Sequence, residues 1–243
     1  RLYGHFMKGD LPPALDLPTG LGKTATISVW LLALAHHARR GTICDFPRRL
    51  VYVVNRRTVV DQATREAEQI RKGLVSTSEL SAAADALRSL SAHPIEGPLA
   101  ISTLRGEFAD NAEWRDDPSR PAVIVGTVDM IGSRLLFSGY GVGFKGKPLH
   151  AGFLGQDVLL VHDEAHLEPA FQELLDSIEK EQKRCKEFGT FRVMELSATS
   201  RGQDEEPFAL TGEEMNPPGD IPEPPREPIH HVWRRLTAKK GIQ

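Results

Sequence analysis

Two groups of residues in this sequence have the types and spacing for phosphate chemistry. The first is Asp16-Leu17-Pro18-Thr19-Gly20-Leu21-Gly22-Lys23-Thr24, lying where a short apolar run gives way to a helical pattern. Glycines in such a loop let backbone N–H groups turn toward an anion, and the helix that follows offers its positive end to it. Gly22-Lys23-Thr24 closes the loop as a P-loop closes. Lys23 would reach the β- and γ-phosphates of ATP and Thr24 would ligate Mg²⁺, while Thr19, Gly20, Leu21 and Gly22 wrap the phosphates. Leu17 stands where the generic pattern has its first glycine. Lys23 is expected to be a solvent-facing loop residue.

The second group is Val158-Leu159-Leu160-Val161-His162-Asp163-Glu164-Ala165-His166, an apolar strand ending in two carboxylates. Nucleotide hydrolysis needs one acid to hold Mg²⁺ and another to orient the attacking water. Asp163 suits the metal and Glu164 the water, with His166 placed near the γ-phosphate. A further apolar strand ends in Leu196-Ser197-Ala198-Thr199. Ser197, Ala198 and Thr199, as small residues beside the acid pair, could relay the state of the nucleotide.

Three other strand ends carry donors suited to a sugar-phosphate backbone. Asn55-Arg56-Arg57-Thr58 stands at a strand-to-helix junction, Arg105 follows a third main strand and Thr127 a fourth. Arg56, Arg57, Thr58, Arg105 and Thr127 are therefore candidate nucleic-acid contacts. All fall at the carboxyl ends of strands, the edge at which open α/β sheets bind ligands.

The elements that must position these groups are legible as an alternation. Ala14–Leu17, Leu50–Val54, Leu99–Ser102, Ala122–Val125, Val158–Val161 and Phe191–Leu196 are short aliphatic runs without polar alternation, the pattern of strands buried on both faces. Thr24–Arg40, Val59–Gly73 and Glu79–Ser91 have helical periodicity, and Arg1–Met7 a shorter helical pattern. Ser76 with Glu79 suggests a capping box. The class implied is α/β, a three-layer P-loop domain with a mostly parallel sheet flanked by helices. Gly139–Gly155 holds six glycines and reads as a mobile loop. From Arg201 to Pro228 the chain is acidic with seven prolines and reads as a linker, after which Ile229–Leu236 looks like a strand opening a following domain over residues 229–243.

Composition bounds the rest. Forty per cent of the 243 residues are hydrophobic, enough for a substantial core, and the net charge of −3 confines any nucleic-acid contact to local patches. Cys44 and Cys185 show no metal-ligand spacing, which suits a reducing cytosol. No apolar run is long enough to span a bilayer, so no membrane is expected. Residue 1 is Arg, so the chain reads as a piece of something longer.

With its motifs in this order, residues 1–200 resemble the first RecA-like domain of superfamily 2 helicases with an Asp-Glu-Ala-His box. More narrowly, the chain is similar to the helicase–nuclease subunit of type I CRISPR systems, nearest the I-U branch. Carrying that likeness are Leu15–Thr24, Val53–Gln62, Gly126-Thr127-Val128-Asp129-Met130, and the stretch from His150-Ala151-Gly152 through Gly155 into Asp163-Glu164-Ala165-His166-Leu167. The resemblance implies ATP-driven 3′-to-5′ movement on single-stranded DNA, recruited by a guide-RNA surveillance complex. It also implies a second RecA-like domain bearing the trans arginine; neither that domain nor a His-Asp nuclease constellation is legible here, and the adenine-binding glutamine would precede Arg1. Other readings are the motor of a restriction translocase or an RNA helicase, or a nucleotide-binding half-module inactive by itself.

Overall fold

The computed structural model describes residues 1–18, 20–42, 46–104, 113–187, 190–197, 207–216 and 228–237. Its strands are β1 (Ala14–Asp16), β2 (Arg49–Val54), β3 (Ala100–Leu104), β4 (Ala122–Thr127), β5 (Val158–Asp163), β6 (Phe191–Ser197) and β7 (Phe208–Ala209). They form one sheet in the order β3-β4-β2-β5-β6-β1-β7, and every pairing is parallel.

Alternate residues of β2 to β6 feed two separate cores, which is why these runs read as continuously apolar. Leu50, Tyr52, Val54, Val123, Val125, Leu159 and Val161 face one layer of helices. That layer holds α1 (Leu2–Phe6), α2 (Thr26–Arg40), α3 (Arg57–Ser76) and α4 (Ser81–Arg88), with Trp30, Leu34, Ala63 and Leu87 buried. Val51, Val53, Ile124, Val158, Leu160 and Val193 face the other layer. There α5 (Glu113–Asp116), α6 (Val128–Leu135), α7 (Gly146–Gly155) and α8 (Pro169–Cys185) bury Trp114, Ile131, Phe153 and Phe171. Helices on both faces of a parallel sheet give the three-layer RecA-like arrangement that the strand–helix alternation predicts.

Four local expectations are corrected. Gly146–Gly155 lies within the stretch read as a mobile loop, yet it is a helix, because His150, Ala151, Phe153 and Leu154 fall on one face and are buried. Burial of that face outweighs the glycines' poor helix propensity. Ser76 is the last residue of α3 rather than a cap, and neither the 3-10 turn at Ser78–Leu80 nor α4 has a side-chain cap. The segment read as a linker contains β7, which pairs with β1, and α9 (Gly212–Met215), which carries a capping box made by Thr211 and Glu214. Ile229–Leu236, read as a strand, lies in the helix α10 (Pro228–Thr237). Ile229, Val232, Trp233 and Leu236 recur at i, i+3, i+4 and i+7, a helical stripe, and all four are partly covered.

Candidate nucleotide and nucleic-acid site

The loop after β1 turns on two glycines. Gly20 has φ +93° and Gly22 φ +79°, values that L side chains rarely adopt, and a Cβ on Gly20 would meet no heavy atom within 4 Å. The 3-10 turn Lys23–Ala25 leads into α2 with no side-chain cap; the Ala25 amide donates to the Gly22 carbonyl at 2.8 Å and the Leu21 amide to the Pro18 carbonyl at 3.3 Å. Thr26 donates its hydroxyl to the Lys23 carbonyl at 2.7 Å and fixes the turn. Thr19 lies outside the described residues.

Two strands away, β5 delivers the acid pair. Asp163 is its last residue, and Glu164 takes a left-handed backbone (φ 54°, ψ 43°), an uncommon state for a residue with a side chain. The amide of Glu164 donates to the Leu196 carbonyl of β6 at 2.9 Å, pinning the turn. In that conformation Glu164 meets the phosphate-binding loop: Lys23 Nζ donates to Glu164 Oε1 at 3.2 Å. The Lys23 side chain is only 9% exposed, so the expected solvent-facing lysine is in fact held over the site by the acid opposite. His166 Nδ1 stands 3.6 Å from Glu164 Oε2.

Asp163 has a different setting. Its Oδ2 accepts the Tyr52 hydroxyl at 3.1 Å, while its Oδ1 is buried with no hydrogen-bond partner among the described residues. Burial pushes its carboxyl above the usual carboxylate range, against the opposing pull of Tyr52 and Lys23. A buried oxygen aimed at nothing and a carboxyl short of positive charge fit a cation. Asp163 with the Thr24 hydroxyl offers hard oxygen ligands of the kind Mg²⁺ takes. Tyr52, whose own hydroxyl burial pushes up, has no motif to mark it; it reads in the sequence as one more strand residue.

At the same edge, β2 and β4 run in register so that Val54 lies opposite Thr127. Arg56 is the N-cap of α3 and Arg57 its first residue, Thr127 is the N-cap of α6, and neither helix start has a side-chain cap. Arg56, Arg57 and Thr58 are exposed. The close return of α6 requires Gly126, since a Cβ there would stand 2.9 Å from Ile131 Cδ1 and 3.2 Å from Leu104 Cβ. Between these helix starts opens a cleft of about 370 Å³ whose walls include Asn55, Arg57, Thr127, Tyr140 and Glu168. Tyr140, in the glycine-rich stretch, carries no signal of its own in the sequence. Arg105, Ala198 and Thr199 lie outside the described residues; Ser197 ends β6 beside Asp16 of β1.

Arg235, on α10, belongs to no motif in the sequence. Its guanidinium lies over the phosphate-binding loop, 3.7 Å from where a Cβ of Gly22 would stand. The route there is tertiary: α10 packs on α9, and Glu214 of α9 is ion-paired with Arg1 beside α1.

The family model for the type III restriction enzyme res subunit (ResIII) matches residues 5–201. No curated protein sequence matches the chain. A similar solved structure is that of a nuclease-deletion mutant of the Type ISP restriction-modification enzyme LlaGI in complex with a DNA substrate mimic. The likeness has 13% identity and a TM-score of 0.46, and covers 88% of this chain and 20% of that one.

Proposed function

The chain belongs to the ResIII family of superfamily 2 motor domains, and from that premise we propose that it is the ATP-binding half of a DNA motor. The observation that carries the reading is the meeting of Lys23 with Glu164, which joins the phosphate-binding loop to the acid pair in one site. In this structure the two charges are ion-paired at 3.2 Å. Phosphates entering the loop would take Glu164's place on Lys23. Glu164 would then be free to orient a water for attack on the γ-phosphate, with Lys23 stabilising charge on the transferring group. Thr24 and Asp163 would hold Mg²⁺, which when bound supplies neutralisation of phosphate charge. The backbone N–H groups of Gly20, Gly22, Lys23 and Thr24 would bind and orient the phosphates.

Arg56, Arg57, Thr58 and Thr127 would grip the backbone of one strand, a contact that does not depend on base sequence. Glu168 lines the cleft beside Arg57 and Thr127 and directly follows the 3-10 turn Ala165–Leu167, so strand and nucleotide act on the two ends of one short segment. Ser197, Ala198 and Thr199 would relay between them.

The finer assignment rests on the resemblance carried by the motif segments. It is movement on single-stranded DNA with a second RecA-like domain, at a guide-RNA surveillance complex of a CRISPR system. The family match favours a second reading, the translocating motor of a restriction enzyme. ATP hydrolysis by the full-length protein, measured with single-stranded DNA, duplex DNA and RNA, decides between them. Stimulation by single strands is expected, stimulation by duplex alone selects the restriction translocase, and stimulation by RNA alone selects an RNA helicase. Absence of any stimulation together with tight nucleotide binding would leave only a nucleotide-binding module.

A further inference from the structure

The cleft beside the two arginines is not shaped for a phosphate backbone alone. We infer that it holds one nucleotide of a single strand, its base turned out of the stack and laid on the ring of Tyr140. The inference rests on the DNA-motor reading and adds to it a base contact and a reason for strand preference.

Three features of the cleft lead there. Its volume, about 370 Å³, is at the scale of a small-molecule pocket rather than of a shallow groove. Its lining combines backbone-binding groups, Arg57, Asn55 and Thr127, with an aromatic ring, Tyr140. The remaining polar lining, Asp129 and Glu168, is wrong for phosphate, which it would repel, but right for the N–H edges that bases present. A lining that holds a cation, an amide, a ring and acceptors together suits both the phosphate and the base of one nucleotide.

Tyr140 is also held for the purpose. It is 63% exposed, so it contributes little to either core. Yet its loop is tightly built: the Ser138 amide donates to the Ser133 carbonyl at 2.7 Å, and Phe137 takes φ 58°. Gly141 follows at φ +67°, and a Cβ on Gly139 would stand 2.9 Å from Arg134 Cγ, so the residues flanking Tyr140 are glycines of necessity. An exposed ring on a constrained backbone stacks on a base without the cost of ordering its loop. In a duplex each base is already stacked and paired, so the cleft would favour single strands.

The test compares Tyr140→Ala and Tyr140→Phe with the unaltered full chain. Probes are a mixed-sequence single-stranded oligonucleotide, a scan of that oligonucleotide with one abasic position at a time, and the matching duplex. Tyr140→Ala should weaken single-strand binding by about 5-fold to 150-fold and leave duplex binding unchanged, whereas Tyr140→Phe binds like the unaltered chain. One abasic position should weaken the unaltered chain and have no further effect on Tyr140→Ala. Tight single-strand binding that is indifferent to Tyr140 and to every abasic position would overturn the base contact and leave the motor reading standing. Failure of the unaltered chain to bind any of the DNA probes would overturn both.

Discussion

Lys23, Asp163 and Glu164 sit within one site but should fail in different ways. Lys23→Ala removes the cation on the transferring phosphoryl group, so ATP hydrolysis in the whole protein should vanish. The fold should survive, because the partner left behind, Glu164, is about a third exposed and stays hydrated. Turnover together with the thermal midpoint checks this; a well-folded variant with ordinary turnover removes Lys23 from the mechanism. Glu164→Gln should still bind Mg²⁺-ATP and not hydrolyse it. Asp163→Asn should instead weaken the metal-dependent part of binding, since its orphaned Oδ1 is the oxygen free to meet a cation. Nucleotide titrations with and without Mg²⁺ separate the two, and identical behaviour would merge their roles. At this scale the sequence marks two residues that the structure brings together, Lys23 and Glu164, because phosphate chemistry demands a fixed order of residue types in each motif. It was silent on Tyr52 and Tyr140, because a tyrosine's task is decided by what the fold places against its ring or hydroxyl. It also misplaced Lys23, since a loop lysine reads as solvated until the acid facing it is known.

Secondary elements carry the site by their ends, and their ends are where the next effects should be read. Arg49 begins β2 nearly buried, donating to the Pro118 carbonyl at 2.9 Å and the Gln156 carbonyl at 2.7 Å, and it ties the β2, β4 and β5 entries together. Arg49→Met keeps the apolar stem and leaves two carbonyls without a donor, which should cost about 2–4 kcal/mol in denaturant unfolding. A loss below ~1 kcal/mol would mean that water replaces the guanidinium. The turn before β4 is pH-sensitive. Burial of Asp117 works to raise its pKa, but hydrogen bonds from Ser119, His93 and Ala92 together prevail and hold it at about 2, below the ordinary 3.8. A depressed carboxyl stabilises the fold fully above its unfolded value and loses that contribution as pH falls through the folded one. The stability gap between the unaltered chain and Asp117→Asn should therefore be constant above about pH 4 and shrink toward pH 2. At the other strand ends, replacing Arg56 and Arg57 together by Ala should weaken single-strand binding evenly across sequences. The log–log salt slope should flatten by about 0.7 for each phosphate that the protein no longer neutralises. An unchanged slope would make both arginines part of a solvated face. The strands were legible because burial on both faces leaves no polar residue to interrupt them. The helices α7 and α10 were not: glycines masked a buried face in the first, and β-branched residues on a helical stripe imitated a strand in the second.

At the scale of the whole molecule, the three-layer plan followed from strands alternating with helices. What the alternation could not foretell is how the residues after β6 return. β7 extends the sheet beyond β1, α9 is tied back to Arg1, and α10 carries Arg235 over the phosphate-binding loop. That return bears on turnover by the 243-residue chain alone. In the two-domain motors that the chain resembles, the ATP site lies between the domains and the second supplies an arginine to the transition state. In related phosphoryl-transfer systems such a residue is worth about 10³–10⁵ in rate. On the two-domain reading residues 1–243 supply one wall, so by themselves they should bind ATP weakly and hydrolyse it slowly, with little response to DNA. Arg235 is the cation within reach that could alter this expectation. If it competes with phosphates for the loop, Arg235→Ala should strengthen nucleotide binding and leave the slow rate as it is, because phosphates no longer displace a guanidinium. If it serves the phosphates in cis, the same substitution should lower both affinity and rate. Nucleotide titration and single-turnover hydrolysis on the two chains distinguish these outcomes. Robust DNA-stimulated turnover that survives Arg235→Ala would show that one RecA-like wall suffices in this protein, and the two-domain requirement would fall.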